Sequence, residues 1–161
     1  LQICKLIIEN VQNANPGDIE GDTPLHRAAY YGYLDVCELI LQNIQNPNPR
    51  DDFGDTPLHR AAQSGELDAF KLILENVQNK NPEGYNGYTP LHTAAQCGNL
   101  DVCKFIIENL KDKNPEDDDF RTPLSRAAQC ALLVIFKLLR ENVQNIYPID
   151  DVTYSPLHLA P

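Results

Sequence analysis

Residues 89–98, Thr-Pro-Leu-His-Thr-Ala-Ala-Gln-Cys-Gly, decide the fold of this 161-residue chain because copies of them recur at a fixed distance. The phrase begins at residues 23, 56 and 89, a diverged copy begins at Thr122, and a fifth begins at Ser155, so successive copies start 33 residues apart. A second phrase, Glu-Asn, occurs at residues 9, 75, 108 and 141, and Gln42-Asn43 fills the remaining place in the same 33-residue spacing. A constant step of this size indicates stacked copies of one structural unit rather than a single globular core.

One copy, residues 82–114, predicts a hairpin loop followed by two short helices. Asn86-Gly87 is a turn dipeptide, Thr89 suits the N-cap of a helix, and Pro90 suits its first position. Gly98 can end this helix in the left-handed conformation. The second helix then carries a wide apolar stripe, formed by Val102, Cys103, Phe105, Ile106 and Leu110. Neither helix can bury its apolar side alone, so the copies must stack.

The Thr-Pro-Leu-His phrase at this step resembles the ankyrin repeat, whose period and T-P-L-H-x-A motif it shares. The resemblance covers nearly the whole chain and implies an all-α solenoid of helix-turn-helix units joined by hairpin loops. It implies a single array over 1–161, with partial repeats at 1–15 and 148–161 and full repeats at 16–48, 49–81, 82–114 and 115–147. Because the chain starts inside a repeat and without Met, we expect it to be part of a longer protein.

Two expectations concern packing. The apolar positions that recur in every copy should be buried; in the first full repeat these are Leu25, Ala28, Ala29, Val36, Cys37, Leu39 and Ile40. Ankyrin repeats usually carry Gly-Ala-Asp after the second helix, where this chain has Val-Gln-Asn. An apolar residue adopts the left-handed cap only at a cost. We therefore expect each second helix to continue past this position, to bury its apolar residue and to end near the polar residue two places on. The apolar residues are Val11, Ile44, Val77, Leu110 and Val143, and the polar residues are Asn13, Asn46, Asn79, Asp112 and Asn145.

Composition bears on the kind of partner and on the location of the protein in the cell. The net charge of −10 disfavours nucleic acid and anionic membrane surfaces, which attract basic proteins. No apolar run approaches the roughly 18 residues of a membrane span, and no N-terminal signal segment is visible. Cys97 and Cys130 occupy equivalent positions about 10 Å apart, too far for a disulfide. The five cysteines therefore suit a reducing compartment, which predicts an intracellular, cytoplasmic protein.

The recurring histidines raise the question of a metal or catalytic site. Each can instead hydrogen-bond to the cap Thr three residues earlier, and Ser125 can replace the histidine in that role. Copies about 10 Å apart cannot share one metal ion, and no Ser-His-Asp arrangement, CxxC pair or Gly-rich phosphate loop is present. We expect a structural role, and no catalytic, cofactor or metal site, for these residues: His26, His59, His92 and His158.

The positions that vary between copies are the hairpin loops and the ends of the first helices. In ankyrin proteins these segments form the concave surface that binds partners. By that resemblance the surface here is acidic and aromatic, which predicts a protein or peptide partner of basic character. The predicted contact residues are Asp22, Arg27, Tyr30, Tyr31, Asp52, Phe53, Asp55, Arg60, Tyr85, Tyr88, Asp118, Asp119 and Arg121.

Several alternatives stay open. Arg27, Arg60 and Arg126 share one repeat position, and each can pair with hairpin acids or stack on Tyr, or can contact a partner. The chain can also be a structural, spring-like segment of a longer array, or an engineered consensus scaffold. An enzyme or small-molecule site is a third possibility.

The fourth copy departs from the others at the turn between its helices. Ala131 replaces the Gly that ends the first helix, and Leu132 and Val134 replace polar residues. Either the turn rearranges to bury Leu132 and Val134, or the two form an exposed patch. The patch would serve as a homodimer contact or as a docking point for the rest of the protein.

Overall fold

The computed structural model describes residues 1–11 and 13–143, and within these ranges the secondary structure is nine α-helices and one short 3-10 turn, without β-strand. The predicted partial repeat at 148–161, with His158, lies outside the described residues. The helices are α1 (Gln2–Asn10), α2 (Pro24–Tyr30), α3 (Leu34–Leu41), α4 (Pro57–Ser64), α5 (Leu67–Asn76), α6 (Pro90–Cys97), α7 (Leu100–Asn109), α8 (Pro123–Gln129) and α9 (Leu133–Asn142).

The described residues divide into two compact units, one within Leu1–Lys80 and the other in the described part of Asn81–Pro161. In the first unit α2 packs on α4 and α3 on α5, and α1 lies against α3. In the second unit α6 packs on α8 and α7 on α9. Within each unit, therefore, first helices stack on first helices and second helices on second helices.

In the described residues, three of the four first helices (α2, α4 and α6) begin with the same hydrogen-bonded cap, and in α8 the Thr122 hydroxyl accepts the Ser125 N–H instead. The backbone N–H of Thr89 donates to His92 Nδ1 at 3.2 Å, the Thr89 hydroxyl lies 3.0 Å from the same nitrogen, and Pro90 takes the first helical position. Thr23 and Thr56 form the same capping box with their histidines. Such a cap stabilises a helix by about 1 kcal/mol, which explains why the phrase recurs.

The core follows the repeated apolar positions in most respects. Leu25, Ala28, Ala29, Cys37 and Ile40 are all buried, and the alanines let neighbouring helices approach closely. Two expectations were wrong. Leu39 is half-buried, like its equivalents Leu72, Phe105 and Leu138, because this position lies at the edge of the apolar stripe. Val36 is also half-buried and lines an apolar groove beside α1, although its equivalents Ala69, Val102 and Ile135 are buried.

The second helices end earlier than expected. Helix α5 stops at Asn76, and Val77 follows in an extended conformation (φ −105°, ψ 146°). The Asn76 side-chain amide donates to the carbonyl of Leu72, four residues earlier, at 2.8 Å. The same bond is made by Asn10, Asn109 and Asn142 of the Glu-Asn phrases and by Asn43, which follows Gln42. The predicted continuation of the helices was therefore wrong. The predicted burial holds for Val77 but not for its described equivalents, since Ile44, Leu110 and Val143 are half-buried and Val11 is 45% exposed.

Left-handed backbone occurs where the repeat pattern requires it, even without glycine. Gly98 ends α6 with φ 85°, and Ala131 takes the equivalent conformation with φ 56°. Phe120, which replaces a hairpin glycine, has φ 58°. Asn86 and Gly87, both with positive φ, form the tight turn that their dipeptide predicted, closed by a bond from Tyr88 N–H to the Tyr85 carbonyl at 3.0 Å.

Candidate partner-binding site

The predicted contact residues lie in the hairpin loops and first helices, and they differ in exposure. Asp22 is only 7% exposed. Asp55, Arg60, Tyr88, Asp119 and Arg121 are half-buried. The side chains open to solvent are Arg27, Tyr30, Tyr31, Asp52, Phe53, Tyr85 and Asp118. The aromatic members are thus largely accessible, and the acids are divided between surface and interior.

Asp22 is already paired within the protein. Its Oδ2 lies 3.2 Å from Arg27 Nε, and its Oδ1 lies 3.1 Å from Arg60 Nη2 in the next repeat. Since both oxygens contact guanidinium groups, Asp22 positions two arginines rather than offering a free carboxylate.

Asp51 is a second buried acid, 6% exposed, and sequence analysis did not single it out. Its Oδ1 accepts the backbone N–H groups of Phe53 and Asp55, each at 2.9 Å, and its Oδ2 lies 2.7 Å from Arg60 Nη2. One carboxylate therefore fixes the hairpin tip and ties it to helix α4.

The second unit contains the same arrangement. Asp117 Oδ1 accepts the N–H groups of Asp119 and Arg121 at 2.9 and 2.8 Å, and Asp117 Oδ2 lies 2.5 Å from Arg126 Nη2. The Arg126 guanidinium also lies over the Tyr88 ring, 4.6 Å from its centroid. Arg60 therefore makes ion pairs and a hydrogen bond to Gln63, and Arg126 makes an ion pair, a hydrogen bond to Gln129 and a stacking contact with Tyr88.

The first repeat has a looser version of this pair. Arg27 Nη2 lies 3.2 Å from Asp18 Oδ2, and both side chains are largely exposed. The Asp18 carboxylate accepts the Glu20 N–H, which lowers the pKa of Asp18. Arg27 therefore remains accessible at the surface while its charge is matched.

A sequence signal for these pairs exists and was missed. An Asp precedes the Arg by nine residues in three repeats, as Asp18 and Arg27, Asp51 and Arg60, and Asp117 and Arg126. The third repeat has Gly84 and Thr93 at the two positions, so both partners are absent together. Joint absence within one repeat is what a structural pair produces, since either charge alone would be unmatched.

The histidines bridge successive repeats, which extends their predicted capping role. Because Nδ1 of His92 accepts the Thr89 N–H, its Nε2 carries the proton and donates to the Arg121 carbonyl at 3.0 Å. His26 contacts the Asp55 carbonyl in the same way at 3.1 Å. Burial lowers the pKa of His92 to about 4 and also lowers that of His26. The neutral imidazole is thus the form that these bonds require.

Among the described residues, Asp22, His26 and Asp51 form a group whose ligand atoms lie within 4.8 Å of one another. Arg60 Nη2 contacts both carboxylates. The two ring nitrogens of His26 contact Thr23 and Asp55. The potential metal ligands in this group are therefore already bonded within the protein.

The predicted self-association residues lie at the turn before α9 and are not equally accessible. Val134 is 63% exposed, and its neighbour Leu133 is 61% exposed. Leu132 is half-buried, and a methyl group at Gly98 would lie 3.7 Å from its Cδ2. The turn therefore covers part of Leu132 and leaves Leu133 and Val134 in solvent.

Comparison with known families agrees with the repeat geometry. A family model described as ankyrin repeats (3 copies) matches residues 1–51 and 43–117. The chain belongs to the ankyrin repeat family. The predicted all-α ankyrin-repeat solenoid is confirmed by this match together with the helices of the described residues. Ankyrin repeats are generally protein-protein interaction modules and are typically non-catalytic.

A search of curated proteins finds no match to this chain. In the part of the chain that the structure describes, none of the helices has the length and apolar character needed to cross a membrane.

Proposed function

We propose that this ankyrin repeat protein is a scaffold that binds a protein or peptide of basic character through its hairpin loops and first helices, without catalysis. The observation that carries the proposal is the exposure of aromatic side chains beside acids on these segments. Phe53 and Tyr85 are exposed on two hairpins. In the sequence, Phe53 follows exposed Asp52, and Tyr85 precedes exposed Asn86. Aromatic residues are enriched among the energetic anchors of protein interfaces.

Preorganised loops support this proposal. Asp51 and Asp117 each accept two backbone N–H groups of their hairpins, so the loops that carry Phe53 and Asp118 are already ordered. A loop ordered before binding loses less conformational entropy in the complex.

Charge also supports a basic partner. The chain has a net charge of −10, and Asp52 and Asp118 are exposed on hairpins of the two units. Exposed charges of this kind accelerate association and make it dependent on salt more than they increase final affinity. We accordingly expect neither nucleic acid nor membrane as partner.

The proposal has three further parts, which concern the extent of the array, its location in the cell and its self-association. The array is taken to extend over residues 1–161. The protein is placed in the cytoplasm, because its five free cysteines suit reducing conditions. Leu132 and Val134, with exposed Leu133 between them, are proposed as a homodimer contact.

The test is the affinity of a partner captured from a source lysate and then purified. We expect Phe53→Ala and Tyr85→Ala each to weaken binding by about tenfold or more, in line with anchor residues. Glu75→Ala and Glu108→Ala, exposed near the ends of second helices, are the matched controls and should leave affinity unchanged. Equal effects of the two pairs would contradict the proposed surface.

A further inference from the structure

The first full repeat carries three tyrosines at positions that hold no aromatic residue in the other copies. Tyr30, Tyr31 and Tyr33 stand at the end of α2 and in the turn that follows. Their counterparts are Gln63, Ser64 and Glu66, then Gln96, Cys97 and Asn99, then Gln129, Cys130 and Leu132. These are not core positions, so packing of the repeat does not require the three rings.

The three rings form one exposed cluster. The Tyr30 and Tyr31 centroids are 5.2 Å apart with the rings nearly perpendicular (86°), and those of Tyr31 and Tyr33 are 5.7 Å apart with the rings nearly parallel (23°). The side chains are 39%, 55% and 57% exposed. Their mutual contacts hold the rings in place, and their outer faces remain accessible.

A carboxylate from the next repeat reaches this cluster. A methyl group added at Gly32 would come within 2.3 Å of Glu66 Oε2, so the Glu66 carboxylate lies directly over the residue that separates Tyr31 from Tyr33. Within the described residues this carboxylate has neither a hydrogen bond nor an ion pair, and Glu66 is exposed. The cluster thus combines exposed ring faces with an unmatched negative charge.

We infer that Tyr30, Tyr31, Tyr33 and Glu66 form an anchor subsite for an arginine side chain of the partner. A guanidinium is planar, so it can stack on an aromatic face and donate N–H groups to a carboxylate at the same time. An ammonium is a compact point charge and lacks the planar stacking surface. An anionic group would be repelled by Glu66. The inference rests on the proposed function, because it assigns a chemical class to one part of the same surface.

The positive charges beside Tyr30 do not oppose this assignment. Arg27 and Arg60 line the same depression as Tyr30, and Arg60 is paired with Asp22 and Asp51. Arg27 lies on the same helix, three and four residues before Tyr30 and Tyr31, but it is paired with both Asp18 and Asp22. Its charge is therefore matched locally, and Glu66 remains the unmatched group beside the rings.

The probe for this subsite is N-acetyl-arginine amide, titrated into the 15N-labelled full chain with backbone amide shifts as the readout. N-acetyl-citrulline amide, which keeps the shape and lacks the charge, is the matched control, and N-acetyl-lysine amide tests the choice of cation. We expect the arginine probe to shift residues 30–33 and 66 selectively and to bind more tightly than either control probe. Tyr31→Leu and Glu66→Gln should each weaken it by about two- to fivefold, and Tyr85→Leu should leave its affinity unchanged.

Two results would overturn the inference: equal binding of the arginine and citrulline probes, or arginine shifts that lie elsewhere on the chain. An unchanged affinity in Glu66→Gln would likewise remove the role of the carboxylate. If the inference fails while Phe53→Ala and Tyr85→Ala still weaken the captured partner, the proposed function stands without this subsite. If the probe binds here but those hairpin variants have no effect, the hairpin part of the proposed function fails instead.

Discussion

Arg60 Nη2 lies 2.7 Å from Asp51 Oδ2, although the two residues stand nine positions apart on opposite sides of a hairpin and a helix start. The same guanidinium nitrogen lies 3.1 Å from Asp22 Oδ1 in the preceding repeat. One arginine thus joins a hairpin to its own helix and to the neighbouring repeat. An internal ion pair that recurs between repeats therefore supports the variable surface, and in this repeat Asp51 is the side chain that forms it.

Replacing Asp51 by Asn should destabilise the protein, because the carboxylate is buried and its charge is matched by Arg60. Removing one partner of a buried pair costs about 3–5 kcal/mol. Arg60 retains Asp22 and is partly exposed, so we expect a loss of about 1–3 kcal/mol in urea unfolding. Asp52→Asn, one residue away and exposed, is the control and should change the free energy of unfolding by less than about 0.5 kcal/mol. Equal effects at the two positions would contradict the role of Asp51.

Replacing His92 by Ser should reduce the acid sensitivity of folding. Burial lowers the pKa of His92 from 6.5 to about 4, so between these values the unfolded chain binds a proton here that the folded chain does not. The stabilisation is therefore complete above pH 6.5 and falls as the pH decreases towards 4. Ser125 shows that a hydroxyl fits the equivalent position. The free energy of unfolding in urea should fall less between about pH 7 and about pH 5 for the variant than for the parent chain. An equal fall in both proteins would exclude His92 as the source of the acid sensitivity.

Exchanging the residues that end the first helices should shift stability in opposite directions. Ala131 has φ 56° and Gly98 has φ 85°. A left-handed residue with a Cβ costs about 1–2 kcal/mol, so Gly98→Ala should destabilise by about that amount. A methyl at Gly98 meets Leu132 at an ordinary contact distance, so backbone strain alone should account for the loss. Ala131→Gly should stabilise the protein by up to about 1 kcal/mol. A loss of thermal stability in that variant would contradict the view that the backbone at Ala131 is strained.

Self-association through the turn before α9 is tested by restoring the residues of the third repeat, which has Asn99 and Asp101 at the equivalent positions. The double variant Leu132→Asn, Val134→Asp should be monomeric in analytical ultracentrifugation at concentrations where the parent chain forms dimers. A parent that stays monomeric at high concentration would remove the homodimer proposal.

Much of the fold is predictable from sequence because local rules agree with the repeat. Thr89, Pro90 and His92 satisfy helix-capping chemistry within four residues, and the structure confirms the cap and helix start that they predict. The end of the second helix was not predicted correctly. Val77 needs no left-handed cap, because the chain leaves the helix at Val77 as extended backbone, directly after Asn76 bonds to the carbonyl of Leu72.

The surface is less predictable, because exposure depends on contacts between repeats. Asp22 and Asp52 are both hairpin acids in sequence, yet Asp22 is buried between two arginines and Asp52 faces solvent. Asp51 was not predicted, because its role shows in the sequence only through the nine-residue spacing between Asp and Arg that recurs in three repeats. The cluster at Tyr31 was predicted only in part, since the proximity of Glu66 to Gly32 follows from the stacking of two repeats.

The most direct test of the central claim, that a partner binds the hairpin loops and first helices, is photo-crosslinking with benzoylphenylalanine placed at single positions. Replacements at Phe53 and Tyr85 report on this surface, and replacements at the exposed Glu75 and Glu108 report on the second helices. In source lysate we expect the Phe53 and Tyr85 positions to give adducts with the same basic protein, and the Glu75 and Glu108 positions to give none. Adducts of that protein at Glu75 or Glu108, without any at Phe53 and Tyr85, would contradict the account.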